Sequence, residues 1–312
     1  MKILVMGAGG VGGWYGAKLA AAGHHVAMVA RGAHLAALQQ AGAIVVREPD
    51  GREWRAPVDA VEEPVDAGTK VDLALLAVKA RDHAAAMDLL YPVVHPSGEG
   101  TLVLTLQNGI DLHESLLERF GGAALWGVAR IGAGIAAPGV IEHVAMGELT
   151  IGEPKGGAST RIAAVARMFE AAGVPCQASE DVRRDLWVKL AWNAAFNAVG
   201  ALAGKTVGEC LESEPLRAVI ADGMREALAV ASAEGVTLPA MPDTMIEAML
   251  GFSASIGGVR TSMLQDRLRG AETEHDALSG AVARRGAAHG VATPVNATLT
   301  RLLAGLALRA LS

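Results

Sequence analysis

The stretch "DVRRDLWVKLAWNAAFNAVGAL", beginning at Asp181, sets Lys189, Asn193 and Asn197 at i, i+4 and i+8. That spacing puts an ammonium and two carboxamides on one stripe of a helix. The remaining faces carry Leu186, Trp187, Leu190, Trp192 and Phe196, and a helix that apolar is largely buried. A lysine inside it must find a partner or a water-filled cleft, because a buried unpaired ammonium is very costly. One reading makes the stripe the lining of a cleft. Lysine is then a proton donor and the amides orient a substrate, a set suited to reducing a carbonyl. The other reading lets the lysine snorkel to the surface while the asparagines bond to loops. The spacing alone leaves both open.

A second polar stretch, "RTSMLQDRLRGAETEHDALSG", follows Gly257-Gly258 and supplies Ser262, Asp266, Glu274 and Asp276. Ser262 can equally be a helix N-cap, and Glu274 a solvated acid in a charged turn. Lys79 in "AVKARD" and Asn108 in "LQNG" each end an apolar run. Both fall at the carboxyl ends of expected parallel strands, the edge where such folds bind ligands. Asn108-Gly109 is also a favoured turn dipeptide. The histidines show no metal-ligand spacing, so no metal site is expected, and His24-His25 reads as a turn.

The elements that must position these groups begin with "KILVMGAGGVGGWYG", Lys2 to Gly16. Gly7-x-Gly9-x-x-Gly12 follows an apolar strand and opens a helix, the context that gives this pattern meaning. Gly7 allows a tight turn, Gly9 lets a pyrophosphate reach the backbone, and Gly12 lets the helix pack on the strand. The anion then meets free N–H groups at a helix N-terminus. An ordinary Gly-rich turn is the plainer alternative. The second strand ends in "MVAR", about twenty residues past the glycines, where an NAD-specific site places Asp or Glu. Here the residue is Arg31. A guanidinium pairs bidentately with a 2′-phosphate, which favours NADP(H), unless Arg31 is simply a surface residue.

Strands are expected at Ile3–Met6, His25–Ala30, Val71–Val78 and Thr101–Leu106, with helices at Val11–Ala22 and Ala158–Ala172. Apolar runs on both sides of each strand fit a parallel sheet covered on both faces. From Ala124 to Gly152, β-type runs split by Pro138-Gly139 and by Gly147 read as antiparallel strands closing the sheet. After Asp181 nearly everything reads as helix, with breaks at Gly204, Pro239–Pro242, Gly257-Gly258 and Pro294. The fold class is therefore an α/β, Rossmann-type, doubly wound sheet followed by an all-α domain. The expected domains are residues 1–180, binding NADP, and 181–312, helical and carrying substrate and catalysis.

Composition sets the outer bounds. The 312 residues are 51% hydrophobic, with four Phe and two Tyr, so a sizeable core must be aliphatic and Ala-rich. A formal charge of −6 argues against nucleic acid or an anionic membrane as partner. Two cysteines far apart, Cys176 and Cys210, fit a reducing compartment. With no apolar stretch of transmembrane length and no leader pattern, the chain reads as soluble and cytoplasmic.

Taken together, "GAGGVGG", "VKA" with Lys79, "QNG" with Asn108, "LWVKLAWNAAFN" with Lys189, Asn193 and Asn197, and "SMLQD…TEHD" with Ser262 and Glu274 resemble the ketopantoate reductase (2-dehydropantoate 2-reductase) family over the whole chain. The resemblance implies NADPH-dependent reduction of ketopantoate to pantoate, a step of pantothenate and coenzyme A biosynthesis, in a cleft between the two domains. It implies Lys189 as general acid and Glu274 bonded to the substrate oxygen region. Asn193, Asn197 and Ser262 hold the substrate in that picture, Lys79 and Asn108 sit by the nicotinamide ribose and the reacting carbonyl, and Arg31 takes the 2′-phosphate. The partner is then a small 2-oxo acid, and the chain a monomer or homodimer. Departures from the family pattern are His275, Ser279 and Gly258-Val259, which bear on substrate identity. Other readings are a paralogous reductase of another 2-oxo acid, a β-hydroxyacid dehydrogenase relative, and a non-catalytic NADP-binding sensor.

Overall fold

The computed structural model describes residues 1–68, 71–94 and 100–306. Residues 307–312 of the expected helical domain lie outside the described residues. The chain divides into two compact units. The first is Met1–Gln107 with Leu112–Val182; the second is Asn108–Asp111 with the residues from Arg183 onward. The short Asn108–Asp111 segment groups with the helical part.

In the first unit the order is β1 (Lys2–Met6), α1 (Gly10–Ala21), β2 (His25–Val29), α2 (Gly32–Ala41), β3 (Ala43–Arg47), β4 (Glu53–Pro57) and β5 (Asp59–Val61). There follow β6 (Leu73–Leu76), α3 (His83–Leu90), β7 (Leu102–Thr105), α4 (Ile110–Phe120), β8 (Ala124–Ala137), β9 (Val140–Gly152), α5 (Thr160–Ala171) and β10 (Cys176–Ser179). The sheet runs β4-β3-β9-β8-β7-β6-β1-β2-β5, with β10 pairing β9. From β5 through β2, β1, β6 and β7 to β8 every pairing is parallel. The chain winds outward in both directions from the β1–β6 pair, the doubly wound arrangement with its switch point between those two strands.

The alternation along each central strand explains the two covered faces. Ile3 and Val5 join Trp14, Tyr15 and Leu19 of α1 and Phe169 of α5 in one core. Leu4 and Met6 join Leu90 of α3 and Leu116 and Phe120 of α4 in the other. Each such side chain, fully buried, contributes about 1.5–3 kcal/mol relative to exposure. The core is aliphatic as expected, although the few aromatics are used as anchors: Trp126, Trp187, Tyr15, Phe120, Phe169 and Phe196 are all fully buried.

Two expectations need correction. Gly147 does not split a strand: β9 runs through it, and the residue is accommodated in a bulge opposite the Arg130/Ile131 step. Its φ of +136° and the approach of the Trp14 ring, 2.7 Å from where a Cβ would stand, both require glycine. Strands β3, β4, β5 and β10 were also not expected. They are three to five residues long, and β4 and β5 carry charged residues and Pro57 that mask a strand pattern.

The second unit begins in α6 (Val182–Ala203) and continues through α7 (Val207–Glu212), α8 (Glu214–Ala233), α9 (Pro242–Ser255) and α10 (Ser262–Leu268). A π-helical turn at Asp276–Gly280 leads into α11 (Ala281–Ala288) and α12 (Pro294–Leu306). Helix α8 packs against α7, α9, α11 and α12. Gly204 (φ +69°) ends α6 region in the left-handed conformation, and Pro242 and Pro294 open α9 and α12, where a missing N–H costs nothing. No helix among the described residues is long and apolar enough to cross a membrane.

Candidate active site

In the first unit, four groups follow the carboxyl ends of adjacent parallel strands: the glycine loop after β1, Arg31 after β2, Lys79 after β6 and Gln107 after β7. The three glycines have separate physical reasons. Gly7 has φ +103°, and a Cβ there would stand 2.9 Å from the Val78 backbone nitrogen. A Cβ at Gly12 would stand 2.2 Å from the Gly7 carbonyl oxygen, inside the contact between α1 and β1. Gly9 differs from both. Nothing lies within 4 Å of its Cβ position, so glycine there answers no internal crowding. Gly9 is also the N-cap of α1 and supplies no side-chain cap, which leaves first-turn N–H groups open to an anion. This open cradle fits the diphosphate of a dinucleotide.

Arg31 is the exposed N-cap of α2, with extended backbone. Lys79 is half-buried and precedes a short 3-10 turn at Ala80–Asp82. Beneath these loops lies a buried polar cluster for which the sequence offered no reading. Gln107 donates from Nε2 to the Val78 carbonyl (2.9 Å). Its Oε1 then accepts from Thr105 Oγ1 (3.2 Å) and from His83 Nδ1 (2.7 Å). His83 Nε2 lies 2.6 Å from Ser115 Oγ, whose hydroxyl donates to the Leu112 carbonyl at 3.2 Å. Burial pushes the His83 pKa down, against the opposing effect of the Gln107 bond. The cluster fastens the loop after β6, which carries Lys79, to the loop after β7. A single glutamine behind an apolar run has no local signature that would reveal this.

In the second unit, α6 holds the polar stripe. Asn193 and Asn197 are 7% and 2% exposed, while Lys189 is half-buried. Leu186, Trp187, Leu190 and Phe196 are buried on the other faces. Trp192 is half-buried and donates from Nε1 to Ser253 Oγ at 2.8 Å. Asn193 donates from Nδ2 to Asn108 Oδ1 at 3.4 Å. This bond uses the Asn108 acceptor and leaves its NH₂ group as the part that can donate to a ligand oxygen.

Ser262 is the first residue of α10 and exposed. It is not the cap: Thr261 is, its hydroxyl accepting from the Leu264 N–H. The Ser262 hydroxyl is thereby spared from capping. Helix α10 is tied to the end of α6 by Arg267, buried and donating to the Ala201 carbonyl. A Cβ at Gly200 of α6 would stand 3.1 Å from the Lys205 carbonyl oxygen, with Thr261 Oγ1 in ordinary contact at 3.5 Å. Glu274 is half-buried just before the π-helical turn. Of the two departures nearby, Ser279 is fully buried and occupied, donating to the His275 carbonyl and accepting from Thr300 Oγ1. The His275 ring is bonded to Thr273 Oγ1 at 2.8 Å.

Thus the second unit brings Asn108 to the Lys189–Asn193–Asn197 helix and ties Ser262 to the end of that helix. Gly7, Gly9, Gly12, Arg31 and Lys79 belong to the first unit. Among the described residues no group of three or more His, Cys, Asp or Glu side chains could hold a metal ion. Cys176, buried, has its thiol pushed up to about 12, and burial also raises that of Cys210, so neither offers a thiolate at neutral pH.

The family described as "Ketopantoate reductase PanE/ApbA" matches residues 3–156, and its C-terminal counterpart matches residues 181–307. A 2-dehydropantoate 2-reductase of Mesorhizobium japonicum is 36% identical over 308 residues, covering 92% of this chain and 91% of that protein. The crystal structure of 2-dehydropantoate 2-reductase from Geobacter metallireducens superposes with a TM-score of 0.90 at 32% identity, covering 98% of this chain and 99% of that one. The ternary structure of D-mandelate dehydrogenase with NADH and anilino(oxo)acetate gives 0.89 at 25% identity, with 98% of each chain covered. With both family segments matched in order and full-length relatives above 30% identity, this chain belongs to the ketopantoate reductase family.

Proposed function

We propose that this protein is an oxidoreductase that reduces ketopantoate (2-dehydropantoate) to pantoate with NADPH, within pantothenate and coenzyme A biosynthesis. The observation that carries the reading is the polar stripe of α6: Lys189 with Asn193 and Asn197 on a helix otherwise buried, joined by the carboxamide of Asn108. Its relatives' shared activity supplies the substrate class.

A reduced nicotinamide, when held there, would supply the hydride that reduces C2 of the 2-oxo acid. The chain's own groups do the rest. The open N-terminus of α1 at Gly9 takes the diphosphate, Arg31 the 2′-phosphate, and Lys79 the ribose beside the nicotinamide. The Asn108 amide donates to the reacting carbonyl oxygen. Lys189 gives that oxygen a proton as C2 becomes tetrahedral, so hydride and proton together yield the alcohol. Asn193, Asn197 and Ser262 hold the carboxylate side, and Glu274 accepts from a substrate hydroxyl. The first unit is the cofactor-binding part and the second the substrate and catalytic part.

A panel of 2-oxo acids followed by NADPH oxidation tests this. Ketopantoate should exceed 3,3-dimethyl-2-oxobutanoate, the same skeleton without the hydroxyl, in kcat/KM. A site built to bond a hydroxyl loses heavily when it is missing. Glu274→Gln should shrink that preference. A second reading, reduction of another 2-oxo acid, is favoured by His275 beside Glu274 and by Gly258-Val259. The D-mandelate dehydrogenase likeness points the same way. It predicts instead that the dehydroxylated or an aryl 2-oxo acid is reduced at least as well as ketopantoate. A protein that binds NADPH and turns over no member of the panel would be a sensor rather than an enzyme.

A further inference from the structure

The four residues Asn108–Asp111 group with the second unit although the chain on either side of them belongs to the first. The direct bond from Asn193 to Asn108 is 3.4 Å long, beyond the usual range of about 2.7–3.2 Å for N–H···O. A bond that long does little to fix the aim of a carboxamide. The stronger ties lie three residues on. The Asp111 carboxylate accepts from Arg285 Nε at 2.7 Å and from Arg284 Nη2 at 3.0 Å. Arg284 is half-exposed and shares its guanidinium with Asp276, so water screens it. Arg285 is the inner of the two, its side chain 16% exposed.

Arg285 also donates from Nη1 to Glu234 Oε1 at 2.8 Å. The Glu234 side chain is 4% exposed and its other oxygen accepts from Arg183 Nη2 at 2.6 Å. Arg183 stands in the first turn of α6, the helix that bears Lys189 and Asn193. A continuous charge-assisted path therefore runs Asp111–Arg285–Glu234–Arg183, from the Asn108 turn to the start of the helix carrying the polar stripe. Such bonds are about twice as strong as neutral ones and directional at guanidinium. The turn is pressed home as well: a Cβ at Gly109 (φ +94°) would stand 2.6 Å from the Ala277 carbonyl oxygen.

We propose that Arg285 is a positioning residue for the reaction: held between Glu234 and Asp111, it fixes the Asn108 turn against α6 and so aims the Asn108 amide at the reacting carbonyl. This rests on the assignment of Asn108 to that carbonyl made above. Arg285 touches neither substrate nor cofactor in this scheme, and its effect on turnover passes through Asn108.

The test is a double-mutant cycle with Asn108→Ala and Arg285→Ala, measuring kcat and KM for ketopantoate and NADPH affinity by nucleotide fluorescence. Arg285→Ala should lower kcat by about tenfold or more in the wild-type background and by less than about twofold in the Asn108→Ala background. NADPH affinity should be unchanged, and Arg285→Lys should recover part of the loss. Equal fold-losses in both backgrounds would show that Arg285 supports the fold generally, and the inference fails. It fails also if Arg285→Ala is silent while Asn108→Ala is not. If Asn108→Ala itself leaves kcat intact, the assignment of Asn108 is wrong and the inference goes with it. Should Arg285→Ala not fold, Asp111→Asn completes the same cycle with the same expected outcomes.

Discussion

The Asn193 side chain donates to the Asn108 side chain across 3.4 Å, joining a residue of a long helix to a turn that precedes it by 85 positions. The acceptor of Asn108 is thereby used within the protein, which leaves its NH₂ group to donate elsewhere. In the proposed scheme Asn193 also holds the carboxylate side of the substrate, so Asn193→Ala should remove that bond together with this long contact. We expect kcat/KM for ketopantoate to fall by about 10–100-fold, the scale of one or two lost directional bonds. NADPH affinity should stay the same, since the groups proposed to hold the diphosphate, the 2′-phosphate and the ribose belong to the other unit. Equal losses of substrate turnover and NADPH affinity would contradict this placement.

The glycines make opposite predictions at neighbouring positions. Gly12→Ala must displace the Gly7 carbonyl, 2.2 Å from the new Cβ, and should cost about 1–3 kcal/mol of stability or more. Gly9→Ala meets nothing within 4 Å and should leave the thermal midpoint within about 2 °C of wild type, on the scale expected for a small ΔΔG. Its NADPH affinity should nevertheless drop by about tenfold or more, because the methyl fills the space a diphosphate needs. Thermal melts and nucleotide titrations of the two variants check the pair. A Gly9→Ala protein with normal NADPH affinity would remove the cradle.

In the proposed scheme Arg31 carries the cofactor preference. Arg31→Asp should weaken NADPH binding by at least about tenfold and spare NADH, as expected when a carboxylate replaces a guanidinium facing a 2′-phosphate. Competitive titration with the two nucleotides reads this directly. Equal loss for both would mean that Arg31 does not read the phosphate.

Protonation of buried histidines should set the acid side of the stability profile. Burial lowers the pKa of His83 and of His34 below the ordinary value of 6.5. The unfolded chain then takes up protons before the folded one does, so stability is full above about pH 6.5 and falls as pH drops below it. Glu48 and Glu153 are held below the ordinary 4.5, against the raising effect of burial: Glu48 by bonds from His143 and Trp54, Glu153 chiefly by Arg161. They add their own loss only at lower pH. Urea midpoints between about pH 7 and pH 5 should decline for wild type and decline less for His83→Gln. An identical slope in the variant would show that His83 is not one of the groups responsible.

Much of this was legible in the residue order, for reasons that are local. The four longest apolar runs of the parallel sheet, the glycine loop and the i, i+4, i+8 stripe of α6 each declare themselves within about a dozen residues. What stayed hidden depends on distant partners. Strands β3, β4, β5 and β10 are short and gain their identity from pairing with β9, β3, β2 and β9. Gly147 looked like a break because its tolerance of φ +136° is local, whereas the Trp14 ring that fits against it comes from another element. Thr261 rather than Ser262 caps α10, a one-residue distinction that adjacent hydroxyls conceal. The His83–Gln107 cluster and the Asp111–Arg285–Glu234 path join residues far apart in sequence, and no periodicity encodes such pairs.

The central claim is that Lys189 protonates a 2-oxo acid reduced by NADPH, and turnover of ketopantoate by wild type and by Lys189→Ala tests it most directly. The account predicts NADPH-dependent reduction by wild type and a loss of about 10²–10⁴-fold in kcat for the variant, the range for a positioned general acid, with NADPH affinity nearly intact. Near-normal turnover by Lys189→Ala, or no ketopantoate reduction by wild type, would contradict it.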